Sequence, residues 1–241
     1  MSGEQIQGLL SVIVPTYNAE AYLAETLTSV FAQNWNALEL LVVDDGSSDG
    51  SLAVAERFGS ALRTFACPHR GLAATRNCGI KAARGAFLLH LDADDLLTPN
   101  SIAVRMAHFD SDPLLDIVTG RLRCFLSPDM KAEDRGRYRV PAVPQQGHLP
   151  GAAIIRAGAF DRFGLMDERF EVNADLEWSV RARDQGARIR LIEDVVVRRR
   201  IHGRNMSLAR KQELDSSRLQ IVSASLARRR NARPNPQGRE G

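Results

Sequence analysis

The 241-residue chain carries 32 Lys and Arg against 29 Asp and Glu, a formal charge of +3 that is weak support for any partner and predicts no nucleic-acid surface. With 44% hydrophobic and 25% charged residues it is neither disordered nor fibrous, and its length suits one α/β domain of ordinary size. Cys67, Cys78 and Cys124 are an odd set without CxxC spacing, which argues against a disulfide framework or a zinc site and fits a reducing cytosol.

Leu9 to Val14 reads as a first buried strand, stopped by Pro15, which cannot donate to a ladder. Asn18 predicts a helix cap, with Leu23, Leu27, Val30 and Phe31 following as one apolar stripe. Leu38 to Val43 is a second strand and ends in Asp44-Asp45-Gly46-Ser47-Ser48-Asp49-Gly50. A helix from about Ser51 to Phe58, a strand near Leu62 to Ala66, the loop Pro68-His69-Arg70-Gly71 and a helix through Ala73, Arg76, Asn77 and Ile80 come next. Ala86 to Leu91 is a fourth short apolar strand that runs into Asp92, Asp94 and Asp95, and Thr98-Pro99 starts another helix. This alternation is the signature of a mostly parallel sheet covered by helices.

The second half is less regular. Ile117 to Phe125 reads as one strand or two short ones, and Ser127 to Pro150 as a long loop rich in charge, Pro, Gly and Gln. Ala152 to Ile155 is a strand, Ala157 to Phe163 a short helix, and Asp175 to Gln185 a helix with Leu176 and Val180 facing inward. Arg188 to Ile192 and Val195 to Val197 are two further strands, followed by a helix from Ser207 to Arg230. The polar segment 231–241 reads as disordered. The basic run Arg228-Arg229-Arg230 is more often a solvated face than a contact with an anionic membrane. No run approaches the roughly 18 apolar residues that cross a bilayer, and the first residues lack a signal-peptide pattern. A cytoplasmic protein is expected, with peripheral membrane contact through the basic segment or pairing of two copies through the last helix left open.

Three polar clusters fall just after predicted strands: Pro15-Thr16-Tyr17-Asn18, Asp44-Asp45-Gly46-Ser47 and Asp92-Ala93-Asp94-Asp95. Each alone reads as a capping turn. In a parallel sheet, however, such positions share one edge, where ligands bind. Three acids so close repel one another unless water or a cation compensates them, and their oxygens suit Mg²⁺ or Mn²⁺. Neither GxGxxG nor GxxxxGK[ST] occurs, so dinucleotide and P-loop routes lack support.

Taken together, Ser11-Val-Ile-Val-Pro-Thr-Tyr-Asn18, Val43-Asp-Asp-Gly-Ser-Ser-Asp49, Gly71-Leu-Ala-Ala-Thr-Arg-Asn77 with Gly79, and Leu91-Asp-Ala-Asp-Asp95 resemble a family 2 glycosyltransferase of the GT-A fold. The resemblance covers Ser11 to about Phe109, and more weakly continues to Ser207. It implies a Rossmann-like mixed, mainly parallel central sheet flanked by helices. Residues 1–207 would form one catalytic domain, its donor half about 9–110 and its acceptor half about 111–207, with residues 208–241 an appended helix and tail. The implied activity is metal-dependent, inverting transfer of a sugar from a nucleotide-diphosphate donor, UDP-linked, to a hydroxyl. The acceptor (glycan, lipid-linked, peptide or small molecule) stays open.

The resemblance also distributes roles. Pro15, Thr16, Tyr17 and Asp45 would border the nucleoside, with Asp45 accepting from the base and Asp44 supporting the loop or the ribose. Arg76 would lie near the base or phosphates. Asp92 would face the ribose, Ala93 would be a further nucleotide-sugar contact, and Asp94 would face the Mn²⁺ or Mg²⁺ on the diphosphate, while Asp95 is a ligand or a turn cap. Asp175 aligns with the general base, although Ala174 stands where the family usually has Glu. The residues themselves leave open that Asp175 only favours a helix dipole, that Glu177 is the base, and that Trp178 is core. Arg200-Ile-His-Gly-Arg-Asn-Met-Ser207 resembles the family's closing segment, making His202 a second metal candidate or a structural group. His69 reads as a loop residue.

Overall fold

The computed structural model describes residues 5–147, 150–205 and 210–231. Met206 and Ser207 of the closing motif, and the tail from residue 232, lie outside the described residues. The chain opens as β1 (Ile6–Thr16), α1 (Glu20–Phe31), β2 (Leu38–Asp44), α2 (Ser51–Glu56), β3 (Arg63–Ala66), α3 (Leu72–Ala82) and β4 (Gly85–His90). These strands form the parallel array β3-β2-β1-β4. Helices cover both faces, so the strands read as continuous apolar runs. Leu10, Val12 and Val14 of β1 point into a core layer with Leu23 and Leu27 of α1. Ile13, one residue out of phase, joins Ile80 of α3 in the other layer.

Helix α1 buries Tyr22, Leu23, Thr26, Leu27 and Val30, while Phe31 is 40% exposed and stacks on Phe58. Asn18 does not cap it. The cap position is Ala19, and the Asn18 side chain instead accepts from the Ser48 amide at 2.9 Å, tying the β1 and β2 loops together.

The second half comprises β5 (Leu96–Leu97), α4 (Ser101–Ser111), β6 (Ile117–Leu126), α5 (Ala132–Arg135), β7 (Gln145–Gln146), β8 (Ala153–Arg156), α6 (Gly158–Phe163), α7 (Ala174–Asp184), β9 (Ile189–Ile201) and α8 (Lys211–Asn231). The sheet continues past β4 in the order β8-β6-β9-β5. β8 is antiparallel to both neighbours, whereas β6 and β9 are parallel. The two strands expected between residues 188 and 197 are one long β9; exposed Glu193 and Asp194 fall where its register with β6 shifts. The long 127–147 segment holds the short α5 and β7. Helix α4 starts at Ser101, after Thr98-Pro99.

On α7 the buried face is Ala174, Glu177, Trp178 and Ala182, so of the residues expected to face inward Trp178 does and Leu176 and Val180 do not lead it. Its end is tied to α8 by Asp184, which accepts from Ser225, Arg228 and Arg229 at 2.8–3.0 Å. Two of the three arginines expected as a solvated face are therefore spent on an internal contact. No helix among the described residues is long and apolar enough to cross a membrane.

Gly79 sets how closely α3 lies on the sheet. A Cβ there would stand 2.3 Å from the Ile13 Cγ2. Gly79→Ala is expected to destabilise the fold by about 1–3 kcal/mol through overpacking, read as a lower urea midpoint. An unchanged midpoint would mean that α3 can slide outward freely.

Candidate active site

The loops after β1 and β2 interlock. Pro15 and Thr16 end β1, and the Thr16 carbonyl accepts from the Asp45 amide at 2.8 Å. Asp44 is buried, and its Oδ2 accepts from the amides of Gly46 and Ser47 at 3.1 and 2.9 Å, so it supports the loop. Asp45 accepts from the amides of Arg70 and Gly71 at 2.9 and 3.1 Å and meets His69 Nδ1 at 2.8 Å. The His69 ring stacks on the exposed Tyr17 with centroids 4.4 Å apart. His69 is thus part of this corner, which its loop-like context in the sequence did not signal.

After β4 the chain turns sharply, the Asp95 amide bonding to the Asp92 carbonyl at 3.1 Å. The Ala93 carbonyl accepts from Thr26 at 2.9 Å, pinning the turn to α1. Asp92, Asp94 and Asp95 offer carboxylate oxygens that all lie within 4.8 Å of one another. Partial loss of hydration raises the Asp92 pKa against the pull of Arg76, and the charges of Asp94 and Asp175 add to the rise. Burial, then the Asp94 and Asp92 charges, hold Asp95 well above the usual carboxylate range. This crowded, hard-oxygen set fits Mg²⁺ or Mn²⁺, which would relieve the repulsion.

The far end of the chain closes this turn. Asp95 Oδ1 accepts from the Arg200 amide at 2.9 Å, and the Arg200 side chain donates to the Asp94 carbonyl at 2.9 Å. His202 Nε2 lies 2.8 Å and Asn205 Nδ2 3.2 Å from Asp94 Oδ2. The Tyr22 ring packs on His202 at 4.6 Å. His202 therefore stands at the acidic turn. Arg200 and Asn205 were visible only as letters of the closing motif, and Tyr22 had no signal beyond its apolar helix face.

Arg76 ties the acidic turn to α7. It is 2% exposed, and it joins Asp92 at 2.7 Å to Asp175 at 3.4 Å. Asp175 lies in the first turn of α7, its Oδ1 accepting from the Leu176 amide at 2.8 Å. Glu177, the other candidate base, is buried and held by Arg181 at 2.9 Å, which also reaches the Phe163 and Leu165 carbonyls. It serves the α6–α7 connection. Trp178 is core: 1% exposed, stacked on Phe160 at 4.5 Å and donating to the Gly164 carbonyl at 2.7 Å. A recess of about 120 Å³ brings Arg76, Asp92, Asp95, Glu171, Asp175 and Arg199 to one space.

A parallel βα half with its acids at the strand ends, extended by a mixed second half, is the GT-A glycosyltransferase architecture. The sequence model described as "Glycosyl transferase family 2" matches residues 11–161. The chain belongs to that family. It is 27% identical over 205 residues to the uncharacterized glycosyltransferase EpsJ of Bacillus subtilis, covering 77% of this chain and 59% of EpsJ. To the chondroitin synthase of Pasteurella multocida it is 26% identical over 231 residues, covering 92% of this chain and 24% of the synthase. The chain thus spans well under two thirds of both relatives. Among solved structures, S. aureus TarS 1-349 in complex with UDP-GlcNAc superposes with a TM-score of 0.71 at 21% identity, over 91% of this chain and 66% of that one.

Proposed function

We propose that this chain transfers a sugar from a nucleotide-diphosphate donor, UDP-linked, to a hydroxyl acceptor with inversion, residues 1–207 being the catalytic domain. The observation that carries the reading is the Arg76 bridge, which places the acidic turn and Asp175 on either side of one guanidinium facing one recess. Family membership and the UDP-GlcNAc complex of TarS support the donor class. Tyr17 and Asp45 would receive the nucleobase, with Pro15 and Thr16 beside it, while Asp92 and Ala93 would border the ribose. Asp94, with His202 within reach, would hold a divalent cation, which supplies Lewis acidity towards the diphosphate when bound. Asp175 would take the proton of the acceptor hydroxyl as its oxygen bonds to the anomeric carbon. The bond from that carbon to the diphosphate oxygen breaks, and the leaving nucleotide diphosphate keeps the electron pair.

A second reading is a homologue that binds nucleotide sugar without efficient turnover. It is favoured by Ala174 in place of the family's Glu and by the engagement of the Asp175 carboxylate with Arg76 and the Leu176 amide. A screen of nucleotide sugars with Mn²⁺ separates the two, following nucleotide diphosphate release with and without hydroxyl acceptors. Acceptor-dependent release is the expected result. Tight donor binding without release for every acceptor offered would select the binding-only reading.

A further inference from the structure

Asp175 lines two recesses. Besides the acidic one, a cavity of about 40 Å³ lies between the sheet and α7, and among the described residues Asp175 and Pro150 line both. Its walls include Ile117, Ile155, Ile189, Met166 and Trp178. Thr119, Ser179 and Arg183 interrupt this mostly apolar lining, and within it stands His90, the last residue of β4, which is 3% exposed. Neither of its ring nitrogens has a hydrogen-bond partner among the described residues. An imidazole offers at least one N–H donor. Leaving such a buried group unmade costs roughly 1–3 kcal/mol, so the recess calls for an occupant that is apolar in most directions and polar towards His90.

The size narrows the choice. The space is well short of the roughly 150 Å³ that holds a benzene ring, so it admits a small side group and not a whole sugar ring. Water would answer the imidazole but leave the isoleucine and tryptophan walls wet. An acetamide answers both, because its carbonyl accepts from a ring N–H while the methyl packs on the walls. Asp92 and Asp95 line the other recess and not this one, so a group here meets Asp175 away from those acids, as an acceptor would. We propose that this recess is an acceptor subsite for the acetamido group of an N-acetylated amino sugar, bonded to His90 and packed against Met166 and Trp178. The proposal rests on reading Asp175 as the acceptor-side base.

The test compares methyl N-acetylglucosaminide with methyl glucoside as acceptors, using the donor found in the screen. The N-acetylated acceptor is expected to have a KM lower by about tenfold or more. His90→Phe and Ala153→Leu fill the recess from two different strands, and each should raise that KM towards the glucoside value. Equal KM values in the unmodified protein, or a preference that survives both substitutions, would overturn the proposal. Saturation-transfer NMR on the full chain reads the contact without turnover. The N-acetyl methyl signal should receive the strongest transfer, fading in both variants. Absent transfer, or transfer that both variants leave intact, sinks the subsite. Full activity of Asp175→Asn would remove the base but leave this methyl signal in place, so the two ideas fail separately.

Discussion

Asp175→Asn is expected to lower kcat by about 10²- to 10⁴-fold, the usual worth of a positioned general base, while nucleotide binding persists. The substitution is nearly isosteric. Its amide oxygen still accepts from the Leu176 amide, now at 2.8 Å, so the first turn of α7 keeps its geometry. What disappears is the ability to take a proton. Steady-state kinetics beside a thermal unfolding curve separate lost chemistry from lost structure. Should the variant retain full transfer, Asp175 is only a helix-terminal acid and a partner for Arg76, and the base lies elsewhere.

Asp94→Ala is expected to lower kcat/KM roughly 10³-fold, the several kcal/mol that a Lewis acid contributes, and to weaken nucleotide diphosphate binding in Mn²⁺ as much as a chelator does. Calorimetric titration of the nucleotide diphosphate with Mn²⁺, and again with chelator, measures both. His202 and Asn205 lose their shared acceptor, but Asn205 keeps its bond to the Arg200 carbonyl at 3.0 Å, so the closing segment retains an anchor. Affinity unchanged by both the chelator and the substitution would remove the cation from the reading.

The first half of the fold was legible because each strand is a short apolar run punctuated by turn-forming residues, and each helix between them has one apolar stripe. The second half hid its order in features that sequence periodicity does not carry. Leu96 and Leu97 form too short a strand to stand out. Glu193 and Asp194 interrupt β9 in sequence without ending it, because they occupy a register shift with their side chains in solvent. Arg76 and Glu177 look like exposed helix residues, yet both are buried, since acids from β4 and α7 neutralise the first and Arg181 the second. In the site, the acids after β2 and β4 were visible as clusters. The geometry of those after β4 was not, because it depends on Arg200 and Asn205, more than a hundred residues away along the chain.

That long-range closure limits how the molecule can be divided. The family match ends at residue 161, but the acids after β4 are held by backbone and side chains from Arg200 to Asn205. A chimera that exchanges only the matched segment between relatives would inherit the carboxylates without their brace. During synthesis, likewise, the acidic turn cannot take its final form when β4 leaves the ribosome; it waits for the end of β9.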